Sequence, residues 1–196
     1  FDDGRFHFFL LFSLSIPLNI GYAILKTVYG FVLHSNWIVQ NGVYYALLTL
    51  MRFIIIRGAE KNEEDKALKL SSIILSISSF HYLLMVLEMY LHTSSPHYPG
   101  YIVYVASLYA FIKVGVAIKG CIKLKTTATP AIVAGNNLKI SHAFVSLIFL
   151  ESGMLNIFGE GTEEERLILL ISGLVVVAYL FVSGPLLIVW NKRNKG

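Results

Sequence analysis

Six apolar runs, each near the length that crosses a bilayer, leave this 196-residue chain few folds to adopt. They cover residues 6–29, 37–56, 67–91, 101–122, 138–158 and 167–190. About 20 residues at 1.5 Å each span the hydrocarbon, where backbone N–H and C=O groups must be satisfied within the segment. For an isolated run that means a helix. The expectation is an all-α, polytopic membrane protein: one transmembrane domain over 1–196 with six spans. Composition agrees, since 56% of residues are hydrophobic and 14% charged, against about 25% charged in soluble domains. Mean hydropathy is +0.67.

Charge placement predicts the orientation. Arg57, Lys61 and Lys66 lie between the second and third runs, with Lys69 in the first turn of the third; Lys119, Lys123, Lys125 and Lys139 flank the connection after the fourth; Lys192, Arg193 and Lys195 follow the sixth. The other three connections hold one basic residue, Arg166. Lys and Arg are retained on the cytoplasmic side. With six spans, all three basic segments fall on that side and both termini are cytoplasmic. The net charge of +4 is thereby a topological signal, and no nucleic-acid partner is expected. Tyr29, Trp37, Tyr90, Tyr98, Tyr101 and Trp190 sit at span ends, the usual depth of amphipathic rings. Residues 126–137, TTATPAIVAGNN, read as a cytoplasmic loop because they are small and polar, with Pro130 and Gly135.

The ionisable residues inside the runs are the candidates for function. An ionised side chain at the bilayer centre costs on the order of 3 kcal/mol or more, so it normally faces a partner, a cavity or water. Lys113 and His81 fall near mid-depth, Lys26, Glu88 and Glu151 in the outer half, and Arg52 and His142 in the inner half. His81 and Glu88 are seven residues apart, which returns them to nearly the same helix face. The expected arrangement is a polar seam of Glu88, Lys113, Glu151, His81 and Tyr109 that binds or passes a solute or ion. Arg52, Lys26 and His142 are assigned to interhelical charge pairing. The pairs drawn are Glu88 or Glu151 with Lys113 or Lys26. The bland reading competes throughout: neutralised pairs fix helix register, and long basic side chains snorkel to headgroups.

Several chemistries lack their signatures. A single cysteine, Cys121, excludes an internal disulfide and a CxxC metal site. HExxH, GxSxG, P-loop, dinucleotide and potassium-filter motifs do not occur. His81, Glu88 and His92, with His34 and His97 in outer connections, match no metal-ligand spacing. No catalytic residue, metal ligand or cofactor is assigned.

Three runs, YYALLTLMRF at 44–53, YPGYIVYVASLYAF at 98–111 and ESGMLNIFG at 151–159, together resemble an uncharacterised family of small multipass proteins from low-GC Gram-positive bacteria. The resemblance implies a bacterial plasma membrane and transfers no activity. Size and layout are also similar to the substrate-binding subunits of energy-coupling-factor vitamin transporters. Those carry an AxxxA pattern in the first span, where this chain reads NIGYAILKTVYG. The functional expectation is a small-solute or ion transport component. The alternative is a non-catalytic subunit or sensor that pairs with another membrane protein, or with its own copy, through its charged spans.

Overall fold

The computed structural model describes residues 3–32, 34, 36–91, 100–124 and 129–193, and there all regular structure is α-helical. The helices are α1 (Asp3–Val32), α2 (Asn36–Glu60), α3 (Glu64–Leu91), α4 (Gly100–Leu124), α5 (Pro130–Phe158) and α6 (Glu163–Arg193). Each apolar run lies inside one of them. Four helices, α2, α3, α5 and α6, are long and apolar enough over their described residues to cross a membrane. His92, His97, Tyr98, Lys125 and Lys195 lie outside the described residues, as do the side chains of Trp37, Tyr101 and Lys123.

α5 is the axis of the bundle: it packs against α2, α3, α4 and α6, while α1 lies on α2 and α3 runs along α6. The outward faces are apolar, with Leu14, Phe31, Ile77, Phe80, Phe111, Ile122, Val175 and Phe181 all largely exposed. A perimeter of that kind suits hydrocarbon, where apolar surface needs no cover. Close helix approach relies on small residues. Gly184 of α6 sits directly over the Ser72 carbonyl of α3, and a Cβ there would lie 2.8 Å from that oxygen. Gly173 faces Val86 in the same seam.

Helix ends follow from local chemistry. Thr162 and Glu165 form a reciprocal capping box at the start of α6: the Glu165 N–H donates to Thr162 Oγ1 at 3.3 Å, and the Glu165 carboxylate accepts from the N–H groups of Glu160, Gly161 and Thr162. Gly161 takes φ +72° in that turn, which glycine adopts without steric cost. Pro17 lies within α1, which continues through it as one helix.

The loop expected over 126–137 is corrected from Pro130 onward. Thr129 caps α5, its side chain accepting from the Ile132 N–H, and Pro130 occupies the first turn, where its missing N–H costs nothing. Ala131, Ile132, Ala134, Gly135, Asn136 and Asn137 are all buried. Their low hydropathy reflects close packing: Gly120 of α4 leaves the space that the Asn136 side chain fills.

At this same end, the Glu64 carboxylate accepts from the Ala131 N–H at 3.2 Å, and Asn191 Nδ2 donates to Asp65 at 2.8 Å. These contacts gather the start of α3, the start of α5 and the end of α6 at one end of the bundle. Glu64→Ala removes an acceptor from the first turn of α5. The expected loss is about 1 kcal/mol, measured as a fall of about 2–4 °C in melting temperature in detergent.

Candidate functional site

Four helices contribute a polar pair spaced four residues apart, hence on one face of each helix: Tyr22 and Lys26 on α1, Asn41 and Tyr45 on α2, Tyr109 and Lys113 on α4, His142 and Ser146 on α5. The bundle turns these faces toward one another. They form a column running along the helices between α1, α2, α4 and α5.

Its lower part centres on Arg52 and His142, which are 3% and 1% exposed. Arg52 donates through one Nη to Ser15 Oγ at 2.7 Å and through the other to His142 Nδ1 at 2.9 Å. Guanidinium can only donate, so His142 Nδ1 is the acceptor and the ring proton sits on Nε2. Nε2 then donates to the Tyr109 hydroxyl at 3.0 Å. A neutral imidazole thus bridges a cation on α2 to a phenol on α4. Arg52 Nε is buried and has no hydrogen-bond partner among the described residues.

The upper part centres on Lys26, 7% exposed. Its Nζ donates to Asn41 Oδ1 at 2.6 Å and stands 3.4 Å from the centroid of the Phe149 ring, with Tyr22 and Tyr45 also within 5 Å. Cation–π contacts strengthen when desolvated, to about 2 kcal/mol, which is how aromatic faces hold this ammonium in place of a carboxylate. Between the two parts lie Tyr45, edge-on to His142 at 4.8 Å, and Tyr22, stacked on Tyr109 at 5.0 Å. That stack closes the column between α1 and α4. Lys113, half-buried, meets the face of the Tyr109 ring at 4.8 Å.

The expected seam is therefore divided. Lys113 and Tyr109 belong to the column, joined there by Arg52, Lys26 and His142, which pair with hydrogen-bonding groups and rings. Glu151 is absent from it: its carboxylate accepts from Ser172 Oγ of α6 at 2.7 Å. Glu88 and His81 both meet Gln40 of α2, Glu88 accepting from the side-chain amide and His81 Nε2 donating to the backbone carbonyl at 3.1 Å. The shared face inferred from their seven-residue spacing holds. The drawn ion pairs do not form, because Lys26 and Lys113 meet neither carboxylate. Among the described residues the ion pair is the surface contact Lys66–Glu63 at 2.7 Å, and no three His, Cys, Asp or Glu side chains converge to hold a metal.

Ser15, Tyr22, Asn41, Tyr45, Ser146 and Phe149 were not anticipated as site residues. The signal for most of them was available as the repeated four-residue spacing of a polar or aromatic residue with a base, acid amide or hydroxyl on four separate runs. The physical result is a cluster of three cations, Lys26, Arg52 and Lys113, lined with phenols and carrying no carboxylate among the described residues. Comparison with family models, with curated proteins and with solved structures returns no match.

Proposed function

We propose that the protein is a transport component for a small solute or ion, with the column between α1, α2, α4 and α5 as its recognition site. The observation that supports this is the burial of Arg52, Lys26 and His142 inside a bundle whose outward faces are apolar. Intramembrane charge is expensive to retain, and it commonly marks a solute or ion path. In this reading all six helices span the membrane. The end that holds Asp65, Ala131 and Asn191 is cytoplasmic, because the basic segments flank it, and both termini lie there. The resemblance to small multipass proteins of low-GC Gram-positive bacteria favours a bacterial plasma membrane.

Stopped-flow light scattering on proteoliposomes tests the transport reading. After hyperosmotic shock with acetate, glycine, glycerol or potassium chloride, at least one solute is expected to re-swell the vesicles several-fold faster than protein-free controls. Lys113→Leu should remove that difference. Equal rates for every solute would overturn the reading.

One observation favours a second reading. Lys113 is half-buried on α4, whose described surface includes the exposed apolar side chains of Tyr104, Leu108, Phe111, Ile112 and Ile118, and among the described residues it rests on the Tyr109 ring. A membrane partner, or a second copy, presenting an acidic side chain to α4 would then complete the pair. That role would make the protein a non-catalytic subunit or sensor.

A further inference from the structure

The column has a sign. Its basic groups are Lys26, Arg52 and Lys113; His142 is neutral by its hydrogen bonds; and Glu88 and Glu151 are engaged elsewhere. Lys26 is satisfied by Asn41 and the Phe149 ring. Arg52 and Lys113 are not equally provided for. Among the described residues, Arg52 has a buried Nε–H without an acceptor, and Lys113 rests on one ring face. The two cations stand on either side of the same His142–Tyr109 pair, and in a low-dielectric interior the repulsion between such charges is weakly screened.

We infer that the level of Arg52 and Lys113 binds a small organic carboxylate, its planar head on the guanidinium edge and its body against the rings of Phe12 and Tyr109. This rests on the column being a solute site. An anion there turns the repulsion between the two cations into two attractions. Guanidinium presents parallel N–H groups that match a carboxylate's two oxygens, and Nε–H is the unused member of that set. The surroundings are aromatic, with Phe12 against the Arg52 guanidinium at 5.5 Å and Tyr22 stacked on Tyr109. Rings of that kind favour an organic body over an inorganic oxyanion, which needs further donors on every side.

The test is equilibrium binding by the full chain in phosphatidylcholine nanodiscs, which contain no lipid carboxylate, followed by melting temperature. Benzoate should raise the melting temperature in a saturable way. Neutral benzamide and inorganic phosphate at the same concentration should leave it unchanged. Arg52→Gln and Lys113→Met should each weaken benzoate binding by at least about tenfold, the scale of one charged hydrogen bond; the surface variant Lys66→Gln should not. Lys113→Met should also melt higher than the wild type without benzoate, since it removes one of two repelling charges, so a folded variant is available. Benzamide matching benzoate, or Lys113→Met binding benzoate as the wild type does, would overturn the inference. The two proposals fail separately. Benzoate binding without vesicle re-swelling leaves the site standing and removes transport, whereas glycerol-driven re-swelling without benzoate binding does the reverse.

Discussion

Gly184→Leu is expected to cost about 3 kcal/mol, the upper range for overpacking a tight contact, and to prevent recovery of folded protein from the membrane. The seam between α3 and α6 explains why. A Cβ at Gly184 would lie 2.8 Å from both the Ser72 carbonyl oxygen and Ser76 Oγ, and the first of these is backbone, which cannot rotate aside. The helices must separate, and the Gly173–Val86 contact in the same seam opens with them. In hydrocarbon no solvent drives the helices back together, so lost packing is not compensated. Gly21→Leu is the control, because that glycine has open space around it. Fluorescence-detected size-exclusion chromatography, with melting in detergent, reads both. A Gly184→Leu profile matching that of Gly21→Leu would remove this account of the α3–α6 interface.

His142→Leu should lose about 3 kcal/mol, the lower range for leaving a buried charge without its partner. Leucine fills similar space but offers Arg52 no acceptor. One guanidinium Nη then joins Nε as a buried donor without a partner, and the link through Tyr109 to α4 is cut. His142→Asn separates charge from volume. The Asn oxygen can occupy roughly the place of Nδ1 and accept from Arg52, so about half the loss should return although the Tyr109 contact is gone. Melting temperatures of the two variants decide this. Equal losses would mean that His142 matters for its packing against Tyr45 and not as the acceptor for Arg52.

The helices themselves were legible because hydrophobic length is a one-dimensional property. Their ends were less so, and residues 130–137 show the reason. Hydropathy counts Asn136 and Asn137 as polar and Gly135 as a breaker, whereas the bundle values them as small, with Asn136 filling the space above Gly120. Partner choice was harder still. A soluble helix marks its buried face with an apolar stripe, but a helix in hydrocarbon is apolar all round. Nothing along the chain therefore tells which neighbour a given face meets. Glu151 was drawn toward Lys113 and turns to Ser172 on α6; Lys26 was drawn toward a carboxylate and finds Asn41 and Phe149. What survived was the shared face: His81 and Glu88 both reach Gln40.

α4 packs on α5, and among the described residues it meets α1 through a pair of facing phenol rings, Tyr22 and Tyr109. Swinging α4 outward about α5 would unstack those rings before it disturbed the α1–α2 or α3–α6 contacts. The door such a movement makes would open sideways, between α1 and α4, and Lys113 would travel with it while Arg52 stayed behind on α2. Entry to the interior and separation of Lys113 from Arg52 would then be a single mechanical event.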